Sequence, residues 1–100
     1  MEHLILANKK RSEFEMVYDL LWQLRREPLA RTRACMLANL TWSRSDTLFT
    51  AIERVGLVEK IPRHRTLFHR AGPNSHSIAI TEKGRQFLSY VDAARRLLEA

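Results

Sequence analysis

The segment from Lys60 to Thr81 contains basic residues and histidines but no acidic residue. Its charged and titratable side chains are Lys60, Arg63, Arg65 and Arg70, with His64, His69 and His76 among them. Like charges without partners repel one another and do not help folding, whereas they suit a phosphate backbone or a minor groove. The segment therefore predicts contact with a nucleic acid, and a merely solvated loop is the alternative interpretation.

Three histidines are enough ligands for zinc, but this segment does not follow a metal-binding pattern. Neither Cys nor a carboxylate accompanies them, and their spacing matches no compact zinc motif. Histidines that become protonated near neutral pH and help to bind phosphate are the simpler interpretation. The sequence also lacks a nucleophile at a known spacing from a base and a glycine-rich phosphate loop. We therefore expect no metal, no cofactor and no enzymatic activity.

A second set of polar residues recurs on one face of a predicted helix. Leu48, Phe49, Ile52 and Val55 have helical spacing and are expected to be buried. The residues left facing outward are Ser43, Arg44, Thr47, Thr50 and Arg54. Arg44 lies near the amino end, where it can donate to guanine O6 and N7, and the hydroxyls suit phosphates or base edges. A solvated helix face is the alternative here.

Two further helices precede this one. The first is predicted from Ser12, which forms a capping box with Glu15, to about Glu27, because Pro28 disfavours helix in the preceding residue. Its apolar side comprises Phe14, Val17, Tyr18, Leu20, Leu21 and Leu24. Residues 29–31 are a candidate edge strand, and the second helix runs from about Thr32 to residues 39–40. Its apolar side comprises Ala34, Cys35, Leu37 and Ala38.

The third helix is predicted over residues 44–55. Thr41 and Trp42 are placed in a tight turn, Ser43 is the predicted cap with Asp46 three residues later, and Gly56 is a left-handed C-cap. Core packing is expected for Trp22 and Trp42, with stacking at a DNA-facing surface as the alternative for Trp42.

A hairpin and a long helix complete the predicted elements. The two arms of the hairpin are the predicted strands at residues 57–61 and 77–80. Residues 66–69 are predicted to extend the first of these arms, and residues 71–75 to form a turn. Thr81 caps a last helix from Glu82 to about Glu99. This order predicts a mainly helical α+β fold, the winged helix-turn-helix, with a three-helix core, a β-hairpin wing and an added C-terminal helix. In that fold the third helix enters the major groove of double-stranded DNA.

The last helix has more apolar residues than one core contact needs. Leu88, Val91 and Leu98 are expected to pack on their own domain. A second stripe, Phe87, Tyr90, Ala94 and Leu97, has the spacing of a helix that packs on a partner helix. A homodimer that reads two half-sites is therefore predicted, with the first helix or the N-terminal arm as alternative contact surfaces.

Composition agrees with one basic domain. The 100 residues include 17 Lys and Arg against 11 Asp and Glu, a net charge of +6, which favours polyanions. We expect an N-terminal arm at residues 1–11 and one domain at residues 12–100. Cys35 is the single cysteine, and a buried thiol is its expected role. Because no apolar run suits a signal peptide or a membrane span, we expect a soluble cytoplasmic protein that does not bind membranes.

Several segments together resemble the archaeal winged-helix regulators of the ArnR-like type. The matching pieces are residues 18–21 (Tyr-Asp-Leu-Leu), 32–33 (Thr-Arg), 38–42 (Ala-Asn-Leu-Thr-Trp), 56–59 (Gly-Leu-Val-Glu) and 80–88 (Ile-Thr-Glu-Lys-Gly-Arg-Gln-Phe-Leu). The resemblance implies DNA binding, transcriptional regulation and dimerisation through terminal helices. The sequence departs from this family in the long, Arg-rich segment of residues 62–76 and in Ser45, where a large apolar residue is usual.

The predicted function is that of a sequence-specific regulator that binds double-stranded DNA. The alternatives are a winged-helix module for protein interaction or RNA binding, and a DNA binder of low specificity, as in chromatin. A small-molecule effector bound between helices is left open.

Overall fold

The computed structural model describes residues 11–62 and 76–99. Over these residues, the helices and strands follow the predicted order. They are α1 (Glu13–Leu24), β1 (Leu29–Ala30), α2 (Arg31–Leu37), α3 (Trp42–Arg54), β2 (Val58–Pro62), β3 (His76–Ile80) and α4 (Glu82–Glu99). The predicted mainly helical α+β class is confirmed.

The three strands form one antiparallel sheet in the order β1-β3-β2. In β1, Leu29 is opposite Ile78, and in β2, Lys60 is opposite the same residue. The predicted edge strand is thus confirmed, and β2 and β3 form the two arms of the predicted hairpin. The predicted extension at residues 66–69 and the turn at residues 71–75 lie outside the described residues.

The core lies between the sheet and the four helices. Its buried residues are Met16, Tyr18, Leu20, Leu21, Leu24, Ala34, Ala38, Leu48, Phe49, Ile52, Leu57, Val58, Ile78, Ile80, Leu88 and Val91. Every helix and both hairpin strands contribute to this set, which is why it fixes the position of α3 relative to the rest of the domain.

Besides the two tryptophans, four apolar residues that were expected to be buried are exposed instead, and each lies near the end of a helix. Phe14 is in the first turn of α1, Leu37 ends α2, Val55 follows α3 and Leu98 is near the end of α4. Packing against neighbouring elements is weaker at a helix end, so periodicity alone overestimates burial there. Met16, which was not predicted, is buried instead.

Two helices end earlier than predicted. α1 ends at Leu24, not near Glu27, because the chain must extend to pair as β1. α2 begins at Arg31 and ends at Leu37, and Asn39 has a φ of 58°. This left-handed residue stops the helix before residues 39–40.

The start of α3 also differs from the prediction. The N-cap is Thr41, not Ser43: the Thr41 hydroxyl accepts a hydrogen bond from the backbone N–H of Arg44 at 3.3 Å. Thr41 has extended backbone angles, so the helix begins one residue later, at Trp42, and Ser43 lies inside the first turn. Gly56, with a φ of 86°, is left-handed as predicted.

The caps at the starts of α1 and α4 are confirmed. Ser12 and Glu15 form the reciprocal capping box, and the hydrogen bonds from the Ser12 backbone and hydroxyl lower the pKa of the Glu15 carboxyl. The Thr81 hydroxyl accepts from the Gly84 N–H at 3.1 Å and donates to the Gly56 carbonyl. That second bond ties the start of α4 to the end of α3.

A polar and aromatic stack joins α1 to α4. The Tyr18 hydroxyl donates to Asp92 Oδ1 at 2.7 Å, and burial followed by this hydrogen bond raises the pKa of Tyr18. Trp22 stacks on Tyr18 with ring centres 5.9 Å apart, and the Arg25 guanidinium lies 3.6 Å from the Trp22 ring. Trp22 is therefore half-exposed at the edge of the domain, and its predicted place in the core is wrong.

Candidate nucleic-acid interface

The turn between α2 and α3 is held by backbone and side-chain hydrogen bonds. The Leu40 N–H donates to the Cys35 carbonyl at 3.1 Å, and the Cys35 thiol donates to the Leu40 carbonyl at 3.1 Å. Cys35 is buried, as expected. These reciprocal bonds set the direction in which α3 leaves the turn.

Arg11 clamps the same turn from outside. Its guanidinium forms an ion pair with Asp19 at 2.6 Å and donates to the carbonyl oxygens of Ala38, at 2.8 Å, and Asn39. The contact joins α1 to a turn 27 residues further along the chain. Arg11 was assigned to the N-terminal arm, and sequence reasoning could not find this role because its two carbonyl partners are 27 and 28 positions away.

The inner face of α3 is formed by Ser45, Leu48, Phe49 and Ile52. Ser45 is fully buried, and its hydroxyl donates to the Trp42 carbonyl at 2.9 Å. Because this bond satisfies the hydroxyl inside the helix, a small polar residue is accommodated where the ArnR-like pattern has a large apolar one.

All five predicted residues on the outer face of α3 are exposed: Ser43, Arg44, Thr47, Thr50 and Arg54. The Thr47 hydroxyl donates to the Ser43 carbonyl at 3.4 Å, and the Thr50 hydroxyl donates to the Asp46 carbonyl at 3.0 Å. The helix thus presents a row of short polar side chains with an arginine towards each end.

Trp42 lies at the start of α3 and is 54% exposed, so its predicted core position is wrong. The Arg31 guanidinium lies 5.7 Å from the Trp42 ring and 5.1 Å from the Phe49 ring. It also forms an ion pair with Asp46 at 2.6 Å. This cluster joins the start of α2 to α3, and no sequence signal pairs residues that are 15 positions apart.

The acidic side chains of α3 are in ion pairs, whereas its arginines are not in any ion pair of the described residues. Asp46 is paired with Arg31, and Glu53 lies 3.9 Å from Lys60. Arg44 and Arg54 are exposed, and neither has an ion pair within residues 11–62 and 76–99. The acids of α3 are therefore neutralised by other elements, while its arginines remain available to an anionic ligand.

Arg33 on α2 is a further cation that was not predicted. It is exposed and has no ion pair in the described part of the chain. A lone arginine on a short helix carries no distinctive sequence pattern. The predicted basic residues Arg63, Arg65 and Arg70 lie outside the described residues.

The predicted dimer residues on α4 divide into two groups. Tyr90, Ala94 and Leu97 are exposed, Tyr90 by 71% and Leu97 by 80%. Phe87 is half-buried and packs against the core, and its ring centre lies 5.3 Å from that of Phe14. Phe87 is therefore only partly available to a partner, and its role in a dimer stays a prediction. Of the stripe predicted to pack inward, Leu88 and Val91 are buried.

Two negative findings concern the described residues. No helix among them is long and apolar enough to cross a membrane. No group of three or more His, Cys, Asp or Glu side chains within residues 11–62 and 76–99 is arranged to hold a metal ion.

Comparison with known proteins gives a family match and structural matches. Residues 10–99 match the family model described as winged helix-turn-helix. A search of curated protein sequences finds no match.

Solved structures of DNA-binding proteins and regulators have similar folds. Sso10a-2, a DNA-binding protein from Sulfolobus solfataricus, has a TM-score of 0.68 and 17% identity over 89% of this chain and 83% of its own. The transcriptional regulator BldR, from the same organism, has a TM-score of 0.66 and 25% identity over 84% and 56%. The repressor CouR, bound to a 23-mer DNA duplex, has a TM-score of 0.59 and 21% identity over 76% and 50%. This chain thus spans about half the length of those two regulators.

Proposed function

This chain belongs to the winged helix-turn-helix family, and we propose from that premise that it binds double-stranded DNA and regulates transcription. The observation that carries the proposal is the outer face of α3, where Arg44 and Arg54 are exposed without ion pairs in the described residues while both acids are paired. The two unpaired arginines attract phosphates, and the short polar side chains on the same face leave room for the helix to approach DNA closely.

In the proposed complex, α3 lies in the major groove. Arg44 donates to guanine O6 and N7, and Arg54 contacts the backbone. Ser43 contacts a base edge or a phosphate. Thr47 and Thr50 contact base edges, because their hydroxyls already donate to carbonyls of the helix. Arg33 on α2 binds phosphate, because the first helix of the pair crosses the backbone in this fold. The basic residues Arg63, Arg65 and Arg70 bind the phosphate backbone or the minor groove.

Two structural neighbours support this mode of binding. Sso10a-2 is a DNA-binding protein and covers most of this chain. CouR is bound to duplex DNA. The cellular setting is also part of the proposal: a cytoplasmic archaeal protein, similar to the ArnR-like regulators, that needs neither a cofactor nor an enzymatic activity.

A homodimer through α4 completes the proposal. Tyr90, Ala94 and Leu97 are exposed on one side of the same helix, and a contiguous exposed apolar patch is typical of a surface that binds a partner. Two-fold symmetry would place two copies of α3 on successive major grooves.

The test is binding to duplex DNA over a range of salt concentrations, measured by fluorescence anisotropy. We expect affinity to fall steeply with salt, because phosphate contacts release counterions. Arg44→Ala should reduce discrimination between preferred and random duplexes by about 1–3 kcal/mol. Arg26→Ala is the matched control, because Arg26 is an exposed arginine just after α1, and it should leave discrimination unchanged.

Three outcomes would contradict the proposal in different ways. Absence of duplex binding at low salt overturns it. Tighter binding to RNA than to DNA of the same sequence would assign the basic surface to RNA. Equal affinity for all duplexes would indicate a DNA binder of the chromatin type.

A further inference from the structure

The middle of the outer face of α3 presents hydrogen-bond acceptors. The Thr50 hydroxyl lies 3.0 Å from the Asp46 carbonyl oxygen, and the Thr47 hydroxyl lies 3.4 Å from the Ser43 carbonyl oxygen. Because a carbonyl oxygen has no proton to give, each hydroxyl donates its own proton in this bond. The lone pairs that remain on the two hydroxyl oxygens can only accept.

Asp46 adds a charged acceptor beside Thr50. Its side chain is 55% exposed, and Oδ1 accepts from Arg31 Nη2 at 2.6 Å. Oδ2 has no hydrogen-bond partner within the described residues. A carboxylate has about four lone-pair sites, so the ion pair leaves acceptor capacity that faces solvent.

Arg31 fixes this carboxylate in place. The same Nη2 also donates to the Asp46 backbone carbonyl at 3.1 Å, and the guanidinium lies within 6 Å of the ring centres of Phe49 and Trp42. These contacts set the orientation of Asp46 before any ligand arrives, which lowers the entropy cost of a later contact. Arg31 is thus a positioning residue.

We propose that Asp46, flanked by Thr47 and Thr50, reads the exocyclic amino group of a base in the major groove. The inference rests on the proposed function. In that groove the hydrogen-bond donors are the amino groups of cytosine and adenine, and an acceptor surface selects them. A carboxylate favours cytosine N4, because adenine has the acceptor N7 beside its amino group. Phosphate is disfavoured, because two negative charges repel each other.

The first test is selection of bound sequences from a random duplex pool. The parent chain should enrich cytosine at one position of each half-site. Asp46→Asn keeps an acceptor for Arg31 but adds a donor, so the preference at that position should move towards adenine, whose N6 and N7 match an amide.

Glu53→Gln is the matched control for this selection. Glu53 is the other acid of α3, and its replacement removes the same negative charge as Asp46→Asn. It therefore reproduces any gain in DNA affinity that comes from the change in charge alone. We expect it to enrich the same sequences as the parent.

The second test removes the amino group alone. In the selected duplex, cytosine is replaced by pyrimidin-2-one, and in a separate duplex adenine is replaced by unsubstituted purine. The parent should lose at least about fivefold in affinity for one of these duplexes. Asp46→Ala should show no such loss, and this comparison separates the lost contact from weaker base pairing. Loss with the purine duplex would support amino-group reading with adenine as the base.

Three results would overturn the inference. Asp46→Asn enriches the same sequences as the parent, or the amino-free duplexes weaken the parent no more than they weaken Asp46→Ala, or the parent binds duplexes without base preference. Each of these leaves DNA binding itself intact. Absence of any duplex binding would instead overturn the proposed function together with this inference.

Discussion

Gly84 allows α4 to pack directly against the backbone that leads into β2. A Cβ atom at this position would lie 2.3 Å from the Leu57 carbonyl oxygen and 2.6 Å from Ile80 Cγ1. Neither distance is compatible with normal packing. The Thr-Glu-Lys-Gly stretch at residues 81–84 therefore has a physical basis: its threonine caps the helix, and its glycine permits the close approach.

Replacing this glycine tests that explanation. Alanine favours helix by about 1 kcal/mol over glycine, yet Gly84→Ala should lower the free energy of unfolding by about 2–4 kcal/mol, because backbone atoms must move. Urea unfolding followed by circular dichroism measures the change. Ser89→Ala, at an exposed position of the same helix, should alter stability by less than about 0.5 kcal/mol. A Gly84→Ala chain as stable as the parent would refute the packing argument.

At the scale of elements, α4 extends past the rest of the described domain. The last buried residue of the helix is Val91, although the helix continues to Glu99. Tyr90, Leu97 and Leu98 are exposed by 71%, 80% and 82%. No residue within 11–62 and 76–99 covers these side chains, and the proposed homodimer would bury them against a second copy of the chain.

Leu97→Glu tests this assignment. The substitution places two charges in a two-fold interface and removes two leucines from it, each worth about 1.5–3 kcal/mol when buried. We expect the dimer dissociation constant to rise by at least about 100-fold, as measured by sedimentation equilibrium. Ser89→Glu adds the same charge on another side of the helix and should leave the dimer intact. A monomeric parent chain would overturn the proposed dimer, and a Leu97→Glu dimer as stable as the parent would show that α4 is not the interface.

At the scale of the whole molecule, the net charge of +6 is not spread evenly. Residues 60–81 contain no acid, and both acids of α3 are paired with cations from other elements. Among the described residues, the outer face of α3 thus carries unpaired arginines and no unpaired acid. Such an arrangement favours association with a polyanion in a defined orientation.

The number of phosphate contacts can be estimated from the way in which the affinity for duplex DNA depends on salt concentration. We expect a triple variant to bind with a weaker salt dependence; it combines Arg63→Ala, Arg65→Ala and Arg70→Ala. The slope of log affinity against log salt concentration should become less steep by about 2 to 3, because each lost phosphate contact contributes about 0.9. Arg26→Ala, Arg95→Ala and Arg96→Ala remove the same charge from the ends of α1 and α4 and should change the slope little. Equal effects of the two triple variants would show that net charge, and not the hairpin, determines binding.

The sequence by itself determined the features that depend on neighbours within a few positions. Helical periodicity, the Ser12–Glu15 capping box, the Thr81 cap and left-handed Gly56 are all local, and each is present as predicted. The element order and the outward residues of α3 follow from the same short-range patterns, which is why both were predictable.

Only the tertiary structure decided which distant groups meet. Arg31 reaches Asp46 across 15 positions, and Arg11 reaches the turn carbonyl of Ala38 across 27. Trp42 is exposed beside Arg31 although its apolar character predicts burial, and Thr41 takes the cap that local spacing assigns to Ser43. Contacts of this kind depend on how α1, α2 and α3 pack together, and packing is a property of the assembled core that no single stretch of sequence encodes.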